Sequence, residues 1–496
     1  MKSENCAKCY KLANRLSAGE LVKRERWKKN FSEWFDEALR NAEIIETRYP
    51  VKGLYVWFPY GLKLRNNVLA IIRKLLEETK HEEVMFPLLI PEDLFKKEAD
   101  HIRGFEGQVY WVTHGGKDKL DVRLALRPTS ETSIYPMFAI WIRSHADLPL
   151  RVYQVVNIFR YETKMTKPLI RVREVTTFKE AHTAHATSEE AEAQVKAAVE
   201  IYKKFFDELA VPYVVTKRPS WDTFAGAVYS IAFDVMAPDG RTLQVGTVHN
   251  LGQNFARVYG IEYEKPDGAH EHVYQTCYGM SERVIAAAVM VHGDDLGPCF
   301  PPRVAPIQIV VVPIPLKGEE KDAEQMARGI AGELKAAGFR VHLDERDLRP
   351  GRKFYEWERH GVPLRLEIGP KDMKRGEVTI VRRDIGERST ISFKVLIPEI
   401  RKILEQMNLD MHDRAWKSFL GSMHELKDLG KIKKVMEERG GIVRTPWCGK
   451  EACGKELEEK TEGSVLGEEL DKKKVDGTCP VCSKPAKTSI LIAKTY

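Results

Sequence analysis

The sequence has little that would place the protein in a membrane or outside the cell. Its 496 residues contain no apolar run of the ~18 residues that a membrane-spanning helix needs. The segment Met1–Asn5 lacks the apolar stretch of a secretory signal peptide. Eight cysteines are too few, in a chain of this length, for a disulfide scaffold. We therefore expect a cytoplasmic protein with reduced thiols and no membrane partner.

Two further signals are weak or missing. The charges nearly balance, with 79 basic and 72 acidic residues and a net charge of +7. This slight excess is compatible with a polyanionic partner but does not identify one. No glycine-rich loop ending in Gly-Lys-Ser/Thr is present, which argues against an ordinary P-loop ATPase.

The chain length predicts about three domains, at roughly 150 residues each. The prolines at 301, 302 and 306 mark one boundary. Before it, long helices and apolar strands are mixed; after it, short strands and helices alternate, as in a compact α/β unit. The last region has charged helices and four cysteines. The expected segments are an extension at 1–29 that contains Cys6 and Cys9, and domains at 30–302, 303–402 and 403–496.

Local patterns predict several elements of the largest domain. Apolar residues at helical spacing predict a helix over Leu62–Thr79, followed by a strand over Val84–Pro87. Two further strands, Val152–Phe159 and Leu169–Lys179, are expected to flank a polar loop. These patterns together indicate an α+β fold.

Two short motifs carry cations and a carboxylate. Arg160 and Glu162 lie in Phe-Arg-Tyr-Glu, and Arg283 ends Gly-Met-Ser-Glu-Arg about 120 residues later. An arginine keeps its charge at any working pH, and its planar fork matches phosphate oxygens. A carboxylate beside it suits Mg²⁺. The motifs therefore favour a site that neutralises the phosphates of a nucleotide.

Polar residues two apart supply acceptors for a small substrate. Thr129 and Glu131 are expected to point the same way on an extended segment, and Glu180 and His182 share that spacing. Thr247 and His249 repeat it. Acceptors grouped in this way suit a small ligand that carries N–H donors.

With Arg127–Glu131 and Lys179–His182, these motifs resemble the catalytic core of class II aminoacyl-tRNA synthetases, specifically the prolyl enzymes of archaeal and eukaryotic type. The resemblance implies an antiparallel sheet with flanking helices, then an anticodon-binding α/β domain and a small zinc-containing C-terminal domain. It also implies a homodimer that activates L-proline with ATP and Mg²⁺ and transfers the prolyl group to tRNA(Pro).

The resemblance assigns roles to individual residues. Arg160 would face the α-phosphate and the attacking carboxylate, Glu162 would hold the nucleotide directly or through Mg²⁺, and Arg283 would face the γ-phosphate or the adenine. Phe178 would either line the proline pocket or stack on the adenine. The proline site would comprise Thr129, Glu131, Arg160, Phe178, Glu180, His182, His249 and Cys277. The ATP site would comprise Arg160, Glu162, Arg171, Gln244, Thr247 and Arg283.

The two later domains carry candidate binding residues of their own. Arg346, Lys353 and Arg365 are interleaved with aromatic residues, a composition that suits unpaired anticodon bases. Cys448-x₄-Cys453 and Cys479-x₂-Cys482 have the spacing of metal ligands, and four thiolates favour tetrahedral, structural Zn²⁺.

Three alternatives remain at this point. A seryl enzyme would have a long N-terminal coiled coil and no C-terminal α/β domain, and a threonyl enzyme lacks the Thr-Ser-Glu with Lys-Glu-Ala-His pair. A synthetase-like tRNA-binding regulatory protein without activity should have lost Arg160, Glu162 or Arg283.

Lys164–Lys167 resembles the lysine loop of class I synthetases, but no His-x-Gly-His motif precedes it.

Overall fold

The computed structural model describes residues 30–96, 106–314, 320–438, 440–470 and 476–496. The expected extension at 1–29, with Cys6 and Cys9, lies outside these ranges. Among the helices that are described, none is both long and apolar enough to cross a bilayer.

Thirteen α-helices lie in the described ranges. They are α1 Phe31–Asn41, α2 Pro59–Glu77, α3 Glu92–Lys96, α4 Glu131–Trp141, α5 Ser188–Glu208, α6 Asn254–Tyr259, α7 Arg283–His292, α8 Glu320–Ala336, α9 Pro350–Arg359, α10 Pro370–Arg375, α11 Leu396–Leu420, α12 Leu429–Glu438 and α13 Glu451–Thr461. The helix α2 agrees with the apolar spacing of its sequence, and it buries Leu64, Val68 and Ile72.

The strands of the first half of the chain include the two that frame the polar loop. They are β1 Ile45–Glu46, β2 Val56–Trp57, β3 Glu82–Glu83, β4 Leu89–Pro91, β5 Tyr110–Gly115, β6 Asp118–Leu126, β7 Leu150–Phe159, β8 Glu174–His185, β9 Val214–Lys217, β10 Tyr229–Met236 and β11 Thr242–Gly252.

The remaining strands complete the central sheet and build the later domains. They are β12 Glu262–Glu264, β13 His270–His272, β14 Tyr274–Met280, β15 Ile309–Pro313, β16 Val341–Leu343, β17 Leu364–Ile368, β18 Glu377–Arg382, β19 Arg388–Ser392, β20 Met423–Glu425, β21 Ile442–Trp447, β22 Ser464–Glu469 and β23 Thr488–Ala493.

An eleven-stranded sheet organises the molecule, in the order β20-β21-β23-β22-β9-β10-β11-β14-β8-β7-β3. Its central strands β10, β11, β14, β8 and β7 pair antiparallel. Helices α2, α5 and α7 pack on one face and bury an apolar core that includes Tyr202, Phe206 and Ile285. The opposite face of the central strands is therefore left for a site.

A separate five-stranded sheet, in the order β16-β15-β17-β18-β19, forms the α/β unit. Strand β15 pairs parallel with β16 and β17, and β18 and β19 add antiparallel. Its apolar core is distinct from that of the large sheet and includes Val311, Leu366 and Ile400. Helix α11 runs without a break across the boundary expected between residues 402 and 403.

Three local expectations were wrong. The strand expected to start at Leu169 begins at Glu174, because Lys167 and Arg171 exchange backbone hydrogen bonds of 2.8 and 2.9 Å across a turn. Within that turn Leu169 has a φ of 60°. The strand expected over Val84–Pro87 is confined to Glu82–Glu83, since the Phe86 N–H donates to the Gln154 side chain at 3.0 Å.

The third correction concerns Thr129 and Glu131. They do not share an extended segment, because Ser130 is the N-cap of α4 and Glu131 is its first residue. The two side chains nevertheless meet, since the Thr129 hydroxyl donates to a Glu131 carboxylate oxygen. The spacing argument failed here, but the expected proximity of the two side chains holds.

Candidate active site

A cleft of about 440 Å³ opens on the face of strands β8, β11 and β14 that the helices leave uncovered. Twelve of the thirteen residues expected in the proline and ATP sites line it. They are Thr129, Glu131, Arg160, Glu162, Arg171, Phe178, Glu180, His182, Gln244, Thr247, His249 and Arg283. The thirteenth, Cys277, lies beside the cleft, with its sulfur within 4.8 Å of ligand atoms of Glu131 and His182.

Strand register explains why residues far apart in sequence meet here. Thr247, Gly279 and Glu180 are cross-strand neighbours in one row, and His249, Cys277 and His182 form the next row. Side chains two apart on a strand share a face, so both rows face the same way. The Phe178 ring packs against Gly279, at ordinary van der Waals distance (3.5 Å) from where a β-carbon of residue 279 would lie.

The amino-acid end of the cleft is a buried network of acceptors. The Gln154 side-chain amide donates to Glu180 Oε1 at 2.8 Å, and Glu180 Oε2 lies 3.2 Å from His182 Nε2. The Tyr135 hydroxyl lies 3.0 Å from His182 Nδ1. Glu131 and Glu180 are each only 3% exposed. Two carboxylates in so dry a place favour a cationic ligand.

The same cleft is also lined by several arginines. Arg160 donates from Nε to the Pro128 carbonyl at 3.0 Å, and Arg283 donates from Nε to the Ile170 carbonyl at 2.8 Å. Burial first, and then the nearby charges of Arg160 and Arg171, lower the pKa of Arg283 to about 10. Cations that repel one another in a cleft are stabilised by an anion with several oxygens, such as a polyphosphate.

Sequence reasoning missed Arg218. This buried guanidinium binds both carboxylate oxygens of Asp234, at 2.9 and 2.8 Å, and donates to Gln244 Oε1 at 2.9 Å. It also donates to the Leu466 carbonyl at 2.8 Å. The available signal was Asp234, a lone carboxylate in the apolar strand Tyr229–Met236, which requires a buried cation.

Glu282, also in the cleft wall, was quoted within a motif but given no role. Its carboxylate accepts from the Thr177 N–H at 2.9 Å. Burial raises the pKa of Glu282 to about 7, against the opposing effects of the Thr177 N–H and the Arg65 charge. The folded chain therefore prefers the neutral acid more strongly than the unfolded chain does.

This preference predicts a pH-dependent stability. The contribution of neutral Glu282 is fully present below the unfolded pKa of 4.5 and is lost as the pH rises through about 7, a change of about 3 kcal/mol. Glu282→Gln should remove this component, so the melting temperature of the variant should gain on that of the wild type between about pH 5 and pH 8. Glu78→Gln, at an exposed site, is the matched control. Parallel pH profiles for wild type and Glu282→Gln would contradict the prediction.

The α/β unit engages its three expected base-binding residues differently. Arg346 is about half exposed and bridges Asp344 and Glu356 at 2.7 and 2.8 Å. Lys353 is buried and donates to the Asp344 carbonyl at 2.9 Å. Arg365 pairs with Glu358 and Glu367 at 2.7 and 3.0 Å. Arg346 is thus the most accessible of the three.

The four C-terminal cysteines converge. The sulfurs of Cys448, Cys453, Cys479 and Cys482 all lie within 4.8 Å of one another. Four thiol groups this close suit a tetrahedral metal with no open position. The cluster packs beside Trp447, whose ring centroid lies 6.3 Å from that of Trp221 in the cleft wall.

Comparison with known proteins supplies the family. Residues 110–292 match the class II tRNA synthetase core domain, residues 308–403 an anticodon-binding domain, and residues 429–496 the C-terminal domain of prolyl-tRNA synthetase. The chain is 54% identical to the proline--tRNA ligase of Methanothermobacter thermautotrophicus, over 93% of this chain and 95% of that protein. It is 53% identical to the enzyme of Thermococcus kodakarensis, over 96% and 100%.

A solved structure agrees in fold and in length. Giardia lamblia prolyl-tRNA synthetase in complex with prolyl-adenylate superimposes with a TM-score of 0.92 at 37% sequence identity, covering 96% of this chain and 99% of that one. The cleft, the three matched domains and these relatives agree, and the chain belongs to the prolyl-tRNA synthetase family of class II aminoacyl-tRNA synthetases.

Proposed function

We propose that this chain activates L-proline with ATP in the cleft and then transfers the prolyl group to the 3′ end of tRNA(Pro). The observation that carries the proposal is that one cleft is lined both by buried carboxylates, Glu131 and Glu180, and by a group of arginines. The ammonium group of an amino acid fits the carboxylates, and the phosphates of a nucleotide fit the arginines. The prolyl-adenylate bound by the Giardia relative combines the same two groups.

At the carboxylate end, Glu131 and Glu180 accept the two N–H donors of the secondary ammonium, and Thr129 holds Glu131 in place. His182, Phe178, His249 and Cys277 enclose the ring. Glu131 and Glu180 are almost fully buried, so their charges attract a ligand cation more strongly than they would in water.

At the arginine end, Arg160 contacts the α-phosphate and the proline carboxylate, and Arg171 and Arg283 neutralise the outer phosphates. Gln244 and Thr247 contact the ribose. Mg²⁺ enters with ATP as part of the substrate, and Glu162 binds the nucleotide directly or through that ion. All of these residues except Gln244 are at least partly buried, which strengthens their charges and dipoles at the reacting atoms.

The chemistry then needs no protein nucleophile. A carboxylate oxygen of proline forms a bond to the α-phosphorus as the bond to pyrophosphate breaks, which leaves prolyl-adenylate. In the second step a hydroxyl of the terminal tRNA ribose attacks the prolyl carbonyl and AMP leaves. The chain positions the reactants and stabilises charge on the phosphate oxygens.

Pyrophosphate exchange into ATP, measured separately with each standard amino acid, tests the proposal. We expect exchange with proline, and weaker but still measurable exchange with amino acids that differ by one methylene, since a pocket rejects these by only ~1–3 kcal/mol. Preferred exchange with serine or threonine would identify another class II enzyme. No exchange with any amino acid would identify a tRNA-binding protein without activity.

For tRNA, we propose that residues 303–402 bind the anticodon through Arg346, Lys353 and Arg365. Arg346→Ala should lower the rate of charging about tenfold or more, because a lost contact to nucleic acid costs ~1–3 kcal/mol. Pyrophosphate exchange should stay unchanged, because activation does not require tRNA. Arg328→Ala, another exposed ion-paired arginine of the same unit, is the control. Equal losses in both assays would mean that Arg346 supports the fold instead.

We propose the division into 1–29, 30–302, 303–402 and 403–496, with Zn²⁺ bound by Cys448, Cys453, Cys479 and Cys482 of the last domain. The six cysteines in the described ranges form no disulfide, which supports a cytoplasmic location.

We also propose a homodimer. Apolar side chains are exposed close together around Phe86, including Met85 at 84%, Leu88 at 37% and Trp141 at 43%, and the Trp141 ring lies 5.6 Å from that of Phe86. Contiguous exposed apolar surface of this kind marks an interface.

Met85→Glu should shift the protein towards the monomer, since a charge enclosed in an apolar interface without a partner is strongly unfavourable. Sedimentation velocity measures the change. Met165→Glu, at an equally exposed methionine, is the control and should leave the dimer intact. A dimer in the Met85→Glu variant would remove this surface from the interface.

A further inference from the structure

A second group of metal-type ligands lies at the closed end of the cleft. One carboxylate oxygen of Glu131, one ring nitrogen of His182 and the sulfur of Cys277 all lie within 4.8 Å of one another. Each of the three residues is at most 5% exposed. Carboxylate, imidazole and thiolate are the three ligand types that Zn²⁺ takes in proteins, and sets of three leave a fourth position open.

Three separate elements hold the ligands in place. His182 on β8 is the direct cross-strand neighbour of Cys277 on β14, and Glu131 begins α4, one turn before Tyr135. The His182 ring is held from both sides, with Glu180 at Nε2 and the Tyr135 hydroxyl at Nδ1. A carboxylate on one ring nitrogen is the usual support of a metal-binding histidine. The Tyr135 hydroxyl at Nδ1 is neutral, so the ring carries one charged and one uncharged neighbour on its two nitrogens.

This set differs from the C-terminal cysteine cluster. Four thiolates enclose an ion completely, whereas Glu131, His182 and Cys277 lie at a cleft through which an ion can enter. Mg²⁺ prefers octahedral oxygen ligands, so the ion that accompanies ATP is a poor match for a thiolate and an imidazole. The ligand set favours Zn²⁺ or Co²⁺.

We propose that Glu131, His182 and Cys277 form a second metal site, which takes Zn²⁺ or Co²⁺ in place of the amino acid. The inference rests on the proposed function, because it requires proline to occupy this end of the cleft. A divalent cation and the proline ammonium then compete for the same carboxylate, that of Glu131. Zn²⁺ is therefore an inhibitor of activation that competes with proline.

Titration of the full chain with Co²⁺, after its C-terminal metal content has been measured, tests the site. A bound thiolate gives a near-ultraviolet charge-transfer band. We expect a Cys277-dependent equivalent that appears in the wild type, vanishes in Cys277→Ser and is displaced by saturating L-proline. Cys299→Ser, at a buried cysteine outside both clusters, should retain it. The inference fails if the wild type lacks this equivalent, if it survives in Cys277→Ser, or if proline does not displace it.

If Cys277→Ser does not fold, proline displacement in the wild type and loss of the equivalent in His182→Gln decide the matter. Kinetics give a further readout: Zn²⁺ should raise the apparent KM for proline and leave kcat unchanged. Pyrophosphate exchange measured without added Zn²⁺ distinguishes failure of the metal site from failure of the proposed function. Proline-dependent exchange without a Cys277-dependent equivalent refutes the metal site alone. A chain that shows no proline-dependent exchange refutes the proposed function. The Co²⁺ titration would still show whether Cys277 binds a metal ion.

Discussion

Arg160→Ala should abolish proline activation while the fold remains intact. Arg160 lies where the cleft changes from carboxylates to arginines, with its Nε bound to the Pro128 carbonyl. Charge accumulates on the α-phosphate in the transition state, and the loss of one preorganised donor there costs ~3–4 kcal/mol. Proline-dependent pyrophosphate exchange should fall by about 10²–10³-fold.

The choice of variants separates charge from shape. Arg160→Lys keeps the charge but loses the planar fork, so its rate should lie between those of wild type and alanine variant. Arg257→Ala removes an exposed arginine of the same domain, outside the cleft, and should behave as wild type. Near-normal exchange in a folded Arg160→Ala protein would overturn the assignment of Arg160 to the reacting phosphate.

Cys479→Ser should remove zinc from the protein and destabilise its C-terminal region. Cys479 is 1% exposed and belongs to a set whose four sulfurs lie within 4.8 Å of one another. Structural Zn²⁺ sites contribute about 10–16 kcal/mol of apparent binding free energy, so the loss of one thiolate affects both metal affinity and folding. Elemental analysis of protein purified with excess L-proline, which keeps the cleft free of metal, should find one zinc per wild-type chain and far less in the variant.

The consequences should reach the cleft. The Leu466 carbonyl accepts from Thr216 at 2.6 Å and from Arg218 at 2.8 Å, and Trp221 donates from Nε1 to Glu458 at 3.2 Å. A loosened C-terminal region would therefore release Arg218 and, with it, Gln244. We expect a raised KM for ATP in Cys479→Ser, and neither effect in Cys299→Ser. An unchanged zinc content in Cys479→Ser would contradict the proposed site.

Much of the cleft could be predicted because its residue types are chemically restricted. A phosphate site needs permanently charged cations, so Arg160 and Arg283 could be predicted as its ligands, with Glu162 as the neighbouring carboxylate. Thr247 and His249, like Glu180 and His182, lie two apart on strands, so spacing alone placed each pair on one face. Arg218 was missed because Asp234 was the one nearby hint of a buried cation, and another partner, the Leu466 carbonyl, is 248 residues away in the chain.

Local patterns also failed where hydrogen bonding overrode propensity. The apolar residues before Glu174 looked like strand, but the paired backbone groups of Lys167 and Arg171 form a turn instead. Glu131 was expected in an extended segment and starts a helix. In both cases backbone hydrogen bonding, in a turn or at the start of a helix, set the local structure. The spacing of hydrophobic residues carries no information about such bonds.

The residue types of the cleft, the helical spacing of α2 and the ligand spacing of the four cysteines could all be predicted from the sequence, because they depend on chemistry and short-range order. That Thr247, Gly279 and Glu180 form one row could be seen only in the folded structure. It alone decided that β22 pairs with β9, which makes the C-terminal strands an extension of the catalytic sheet. Strand register and pairing arise from contacts between distant segments. Local sequence patterns do not specify which of many compatible pairings buries the most apolar surface.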